Sequence, residues 1–241
     1  MKEEAGFLDR PDGEKLAWRR IAGDGPTLVW LGGFRSDMAG TKAEALAEWA
    51  AAAGRAYVRF DYFGHGESTG AFERGTITRW REDALAVLDG LTEGPLVLVG
   101  SSMGGWISCL AAAVRAERIA GLILIAPAAD FTSALMAPEM TDADRQALEE
   151  TGIWLRPSDY GDPYPISREL LEDGARWTIL PGPVPVTAPV RVLQGGADPD
   201  VPWPHALALA QALATEDLVF SLIKDGDHRL SRPQDLRRLI A

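Results

Sequence analysis

Ser102 lies in Gly100-Ser101-Ser102-Met103-Gly104, between the apolar run Leu96-Val97-Leu98-Val99 and the segment Trp106–Ala113. A short β-branched run before it reads as a buried strand, and the apolar stretch after it as a buried helix. Gly-x-Ser-x-Gly at a strand-to-helix turn holds a serine on a strained backbone with its Oγ clear of the sheet. Gly100 and Gly104 suit the positions where a Cβ would clash. A serine hydroxyl is a weak nucleophile near neutrality, so this turn implies chemistry only beside a base and a group that orients the base. Cysteine or aspartate in place of the serine would imply different reactions; serine implies acyl transfer to water.

The chain holds three histidines. In the strand–turn–helix arrangement the order along the chain is serine, acid, histidine. His65 precedes Ser102, which leaves it a structural or pocket-lining part. His205 opens a regular helix too soon after the acid expected near residue 198 to lie opposite it on another loop. His228 follows an expected last strand within Lys224-Asp225-Gly226-Asp227-His228 and is the expected base. The acid is expected after the preceding strand, in Gln194-Gly195-Gly196-Ala197-Asp198-Pro199-Asp200, where Asp198 is the first choice and Asp200 the second. Asp130 is a variant placement, and Asp225 and Asp227 are expected to shape the histidine loop. The acid would hold one tautomer of the imidazole and stabilise the imidazolium. Two backbone N–H groups must face the developing oxyanion. Met103, following the serine at a helix start, supplies one. Phe34, in Gly32-Gly33-Phe34-Arg35 after another buried strand, is expected to supply the second.

The elements that must position these residues alternate. Pro11-Asp12-Gly13 marks a hairpin within Gly6–Ile21. Strands are expected at Pro26–Leu31, Ala56–Asp61, Gly121–Pro127, Val190–Gln194 and Leu218–Ile223. Between them lie helices from Thr41 to Ala53, with a capping-box spelling in Thr41-Lys42-Ala43-Glu44, and from Ile77 to Leu91. Further helices are expected over Trp203–Ala214 and from Gln234. Alternation of this kind implies a mostly parallel sheet covered by helices on both faces. The rhythm breaks from Ala128 to Ala188, where there are many prolines, a helical pattern at Asp142–Glu150, and Trp154, Tyr160, Tyr164 and Trp177. One domain over 1–241 is expected, with a helical cap insertion at about 130–188 folding over the carboxyl edge of the sheet. Trp154, Tyr160, Trp177, Met136, Met140 and Trp203 are candidates for an apolar acyl pocket and equally for the core.

The 241 residues are 46% hydrophobic and 24% charged, enough for a full-sized core. A formal net charge of −11 disfavours nucleic acid and docking on anionic lipid. Cys109 is the single cysteine, has no partner for an internal disulfide, and is expected in the core. No membrane span is expected. Met1-Lys2-Glu3-Glu4-Ala5 shows neither signal nor transit pattern, so the location expected is cytoplasmic. Three scattered histidines and one cysteine make no ligand cluster, so no metal or organic cofactor is implied.

With these residues together the chain resembles the serine α/β-hydrolases. Within them it is similar to the palmitoyl-protein thioesterase and acyl-glucuronide esterase family called α/β-hydrolase domain-containing protein ten. The resemblance is carried by Met38-Ala39-Gly40-Thr41-Lys42-Ala43, Arg59-Phe60-Asp61-Tyr62 and Gly100–Trp106. It continues through Gly152-Ile153-Trp154, Pro157-Ser158-x-Tyr160, Val201-Pro202-Trp203 and Gly226-Asp227-His228-Arg229. It implies the α/β-hydrolase fold and a triad on Ser102, Asp198 and His228. Animal members are mitochondrial and carry a targeting segment, so a bacterial-type member is expected here. The expected activity is hydrolysis of carboxylic esters or acyl thioesters through an acyl-enzyme, on small-molecule or S-acylated substrates. A short-chain carboxylesterase or an amide hydrolase could use the same triad, and a non-catalytic ligand-binding protein could share the fold.

Overall fold

The computed structural model describes residues 3–157 and 163–241. Tyr160, and with it Ser158, lies outside the described residues. The chain opens with β1 (Glu3–Asp9) and β2 (Lys15–Ile21), an antiparallel hairpin turning at Pro11–Gly13 as its turn spelling predicts. Then come β3 (Asp24–Leu31), α1 (Thr41–Ala53), β4 (Arg55–Phe60), α2 (Ile77–Leu91), β5 (Leu96–Ser101), α3 (Met103–Val114) and β6 (Ile119–Ile125). After β6 the alternation stops. A π-turn at Thr132–Met136, α4 (Asp142–Thr151), β7 (Ile153–Arg156), β8 (Tyr164–Ser167) and α5 (Arg168–Arg176) follow. Strand–helix order resumes with β9 (Val190–Gly195), α6 (Trp203–Ala212), β10 (Leu218–Ile223) and α7 (Pro233–Ile240).

Eight strands form one sheet in the order β1-β2-β4-β3-β5-β6-β9-β10. From β4 through β10 in that order the neighbours run parallel, while β1, β2 and the β2–β4 junction are antiparallel. Side chains of a strand alternate between faces, and β3 shows the result. Val29 and Leu31 pack in the cluster formed with α2 and α3. Leu28 and Trp30 pack on the opposite face with Leu46 of α1 and Leu239 of α7. Both faces are therefore covered, and β5 runs through the middle of the sheet.

The segment between β6 and β9 differs from an all-helical insertion. It contains an antiparallel pair, β7 with β8, in addition to α4 and α5. Ile153 and Ile166 supply β-branched side chains to this pair, and Trp154 is buried. The capping-box spelling at Thr41–Glu44 does not form a capping box. Gly40 is the N-cap without a side-chain bond, because the Glu44 carboxylate pairs instead with the buried Arg59 guanidinium at 2.6 Å. A capping box forms at α4, where Thr141 and Asp144 bond reciprocally. Arg59, 2% exposed, also binds Glu3 of β1 and the Met38 carbonyl, tying the outer hairpin to the loop after β3. Cys109 is a free, fully buried thiol on α3, and burial pushes it up to about 12.

Candidate active site

The loops after β3, β5, β9 and β10 leave the same edge of the sheet, because parallel strands carry all their carboxyl ends to one side. Ser102 occupies the turn after β5 at φ 54° and ψ −118°, a region that L-residues rarely adopt. The surroundings explain the glycines. A Cβ on Gly100 would lie 2.4 Å from the Gly104 carbonyl oxygen, and one on Gly104 would lie 2.0 Å from the Leu31 carbonyl oxygen. The turn is that tight because α3 starts against the end of β3.

Ser102 Oγ donates to His228 Nε2 at 3.1 Å, and His228 Nδ1 donates to Asp198 Oδ2 at 2.9 Å. The His228 side chain is 18% exposed and that of Asp198 fully buried. The other Asp198 oxygen accepts from the amides of Asp200 and Val201, both at 2.9 Å, while Gln194 Nε2 donates to Oδ2 at 3.2 Å. Asp198 is thereby locked in one rotamer by the turn that follows β9. Its contacts distinguish it from Asp200, which contributes a backbone amide to this lock and lines the adjoining cavity.

The remaining acids and histidines have other partners. Asp130, also at positive φ, accepts from the Ile179 and Leu180 amides at 2.9 Å each and so ties the end of β6 to the segment after α5. Burial raises its carboxyl above the usual range. His205 Nε2 donates to the Ala129 carbonyl at 2.7 Å. Asp227 accepts from Leu230, and Asp225 pairs with Arg232, so both shape the loop that carries His228. Asp198, Asp200 and His228 also bring oxygen and nitrogen atoms within 4.8 Å of one another. Both Asp198 oxygens and both His228 nitrogens are already used in hydrogen bonds within the chain, which suits a proton relay better than a metal ligand set.

The amides expected to face an oxyanion come from Phe34 and Met103. Met103 opens α3, whose dipole places positive charge at that end. Phe34 follows Gly33, whose Cβ position is 3.4 Å from the Ser102 Cβ, so the loop after β3 runs directly against the serine. His65 holds this loop from behind. Its Nε2 accepts from the Arg35 amide at 3.2 Å and its Nδ1 donates to the Phe63 carbonyl at 3.0 Å, which specifies a neutral tautomer. Burial holds His65 down at about 4.

A cavity of about 490 Å³ adjoins Ser102 and His228. Met136 lines it, as do Phe131, Leu135 and Tyr164. Trp154 and Met140 are buried in the core, and Trp203 is 42% exposed at the start of α6. The Trp177 indole donates to Thr78, and its carbonyl accepts from Trp106, so it joins α5 to α2 and α3. Arg35, Lys42, Arg156 and Arg229 line the cavity as well. Nothing in the spacing of these four cations marks them in the sequence, since they come from four separate segments. Lys42 Nζ donates to the Arg229 carbonyl, and burial lowers its ammonium to about 8.

A strained serine after the central strand of a doubly covered parallel sheet, bonded to a histidine and aspartate from later loops, defines the serine α/β-hydrolase class. Residues 28–173 match the family described as serine aminopeptidase, S33. The chain is 37% identical over 243 residues to palmitoyl-protein thioesterase ABHD10, mitochondrial, of Bos taurus, covering 99% of this chain and 78% of that protein. The solved structure of α/β-hydrolase domain-containing protein 10 from mouse superposes with a TM-score of 0.90 at 37% identity, covering 98% and 95% of the two chains. A crystallised protein from Agrobacterium vitis S4 superposes at 0.95 with 44% identity, over 100% and 97%. The chain belongs to the α/β-hydrolase family and, within it, to the group of palmitoyl-protein thioesterase ABHD10.

Proposed function

We propose that this chain hydrolyses acyl esters and thioesters through an acyl-enzyme on Ser102, with His228 as general base and Asp198 as the acid that orients it. The observation that carries the reading is the continuous relay from Ser102 Oγ through His228 to Asp198, at 3.1 and 2.9 Å. Ser102 Oγ attacks the acyl carbonyl carbon as its proton passes to His228 Nε2. The carbonyl oxygen takes up negative charge, and the Phe34 and Met103 amides donate to it. Asp198 stabilises the imidazolium that forms. As the tetrahedral adduct collapses, the bond to the leaving sulfur or oxygen breaks, and that atom takes the proton from His228. Water then enters, gives its proton to His228, and attacks the acyl carbon; Ser102 Oγ leaves with that proton.

Residues 130–188 act in this reading as a cap on a single domain, with Phe131, Leu135 and Met136 presenting apolar surface to the acyl chain. The location expected is a reducing compartment, in keeping with the lone Cys109; the cytoplasm is the one we favour, although the animal relatives are named mitochondrial. Among the described residues no helix is long and apolar enough to cross a membrane.

The amide-hydrolase reading has one observation in its favour, the family description as serine aminopeptidase. Cations around the cavity count against it, since they would repel the free ammonium of a peptide N-terminus. Initial rates on thioesters, oxygen esters and amides of matched acyl chains, short to palmitoyl, test both readings. Faster thioester and ester turnover that disappears in Ser102→Ala is expected. Faster amide turnover would replace this reading with the second.

A further inference from the structure

The cavity over Ser102 has two kinds of wall. Phe131, Leu135 and Met136 form the apolar one, and Phe131 and Met136 belong to the core cluster on the α2–α3 face of the sheet. The basic wall includes Lys42, from α1 on the opposite face, and Arg229, beside His228. Lys42 Nζ donates to the Arg229 carbonyl and so joins these two segments. Arg35 and Arg156 add two guanidinium groups, and among the described residues of the lining Asp200 is the single carboxylate. Among the described residues four cations meet one carboxylate in the lining, with Glu139 behind Arg156, in contrast to the net charge of −11 of the chain. A low-dielectric cleft of one sign focuses its field on whatever enters.

Arg35 makes no ion pair among the described residues. Its guanidinium lies over the rings of Phe72 and Tyr164, 5.2 and 5.3 Å from their centroids, which fixes it at the exposed rim. Arg156 is held by Glu139 at 2.8 Å. α1 begins at Gly40 without a side-chain cap, and Gly40 and Thr41 line the same cavity, so the helix dipole adds to the same sign. A single carboxylate is satisfied by one guanidinium in a fork-to-fork pair, whereas successive phosphates present charge to several cations at once.

We propose that the leaving group accepted at this site carries several negative charges of the phosphate class, as in an acyl thioester of a phosphorylated, nucleotide-bearing thiol. The inference rests on the Ser102 reading: the apolar wall takes the acyl chain and the basic wall takes the thiol carrier. It adds a charge selection that the triad alone does not supply.

Three thioesters of one short acyl chain test it: with coenzyme A, with N-acetylcysteamine, which is neutral, and with thioglycolate, which carries one carboxylate. At low ionic strength kcat/KM for the coenzyme A thioester should exceed that for the neutral one by about tenfold or more, and the ratio should shrink at high salt. Arg35→Gln and Arg229→Gln should each lower that ratio by roughly threefold to tenfold, and Arg35→Lys should keep most of it. A ratio near one overturns the proposal, while Ser102-dependent turnover of the neutral thioester leaves the triad reading standing. Equal preference for thioglycolate overturns the assignment to phosphate. Binding of coenzyme A to the Ser102→Ala protein reads the same wall without catalysis. Salt-sensitive binding weakened by Arg35→Gln supports the proposal even if the hydrolase reading fails, and its absence overturns the proposal.

Discussion

Ser102 is strained because the turn that carries it is pinned on both sides. Its amide donates to the Ile125 carbonyl at 2.9 Å and its carbonyl accepts from Gly105 and Ala128. Strain of this kind holds the hydroxyl in place before substrate arrives. Replacing Ser102 with alanine should therefore lower kcat by about a millionfold, as triad nucleophiles do, and leave the thermal midpoint close to that of the parent. Retention of more than a few per cent of activity would mean another nucleophile. His65 makes a different prediction. Burial holds it at about 4 in the folded chain, against 6.5 when exposed. Below 6.5 the unfolded chain takes up a proton that the folded chain refuses until about 4, so this stability is full above 6.5 and is lost on acidification through that window. The shift corresponds to about 3 kcal/mol. Asp61, raised by burial to about 6, acts in the opposite sense. Urea unfolding from pH 7 to 4 should thus show a steeper loss for the parent than for His65→Asn, and parallel curves would remove His65 from the account.

Helices and strands meet at the active edge with almost no free space. Gly104 shows it most sharply, since any Cβ there would overlap the Leu31 carbonyl. Gly104→Ala should force α3 away from β3 and cost about 3 kcal/mol or more, read as a fall in the urea midpoint, with kcat reduced as the Phe34 amide moves off line. An unchanged midpoint would show that the helix start tolerates displacement. At the other end of the edge, Asp130 joins β6 to the chain after α5. Alanine there leaves two part-buried amides without their acceptor, at about 1 kcal/mol each. Hydrogen exchange at Ile179 and Leu180 should accelerate at least tenfold, and Asp130→Asn, which keeps one acceptor and tolerates a positive φ, should show less. Equal protection in all three proteins would mean that these amides are held by something else.

Across the whole molecule, two hydrophobic clusters share one sheet, and the segment from β6 to β9 contributes to the larger of them through Trp154, Ile166 and Leu170. If the cap is part of one cooperative domain, tryptophan fluorescence and far-ultraviolet circular dichroism should give coincident urea transitions. Trp154 and Trp177 report from the cap, and Trp80 and Trp106 from beneath it. Separate transitions would divide the cap from the sheet. Much of this architecture was legible in the chain, because parallel strands buried on both faces read as unbroken apolar runs and amphipathic helices repeat at three and four residues. Ile77–Leu91 is a helix with the bounds its pattern predicts. The capping box was misplaced because local spelling cannot reveal that Glu44 has a stronger partner in Arg59, buried on a neighbouring strand. The β7–β8 pair was missed because a four-residue strand carries too little periodicity to stand out.

Sequence alone determined the residues named for the site, since Gly-x-Ser-x-Gly between a strand and a helix, followed by an acid and a histidine after later strands, needs only spacing and order to be read. Order and spacing rank Asp198 above Asp200 without separating them, and the tertiary structure brings Asp198 to His228. The Asp200 and Val201 amides turn one oxygen of Asp198 inward and leave the other to the imidazole. The cavity lining was decided there as well. Arg35, Lys42, Arg156 and Arg229 are far apart along the chain and carry no shared pattern, yet four segments bring them around one space beside Ser102. Periodicity and motif record interactions between neighbours in sequence. A charge lining assembled from the loops after β3 and β10, the start of α1 and the end of β7 arises only when tertiary packing brings those segments around one space.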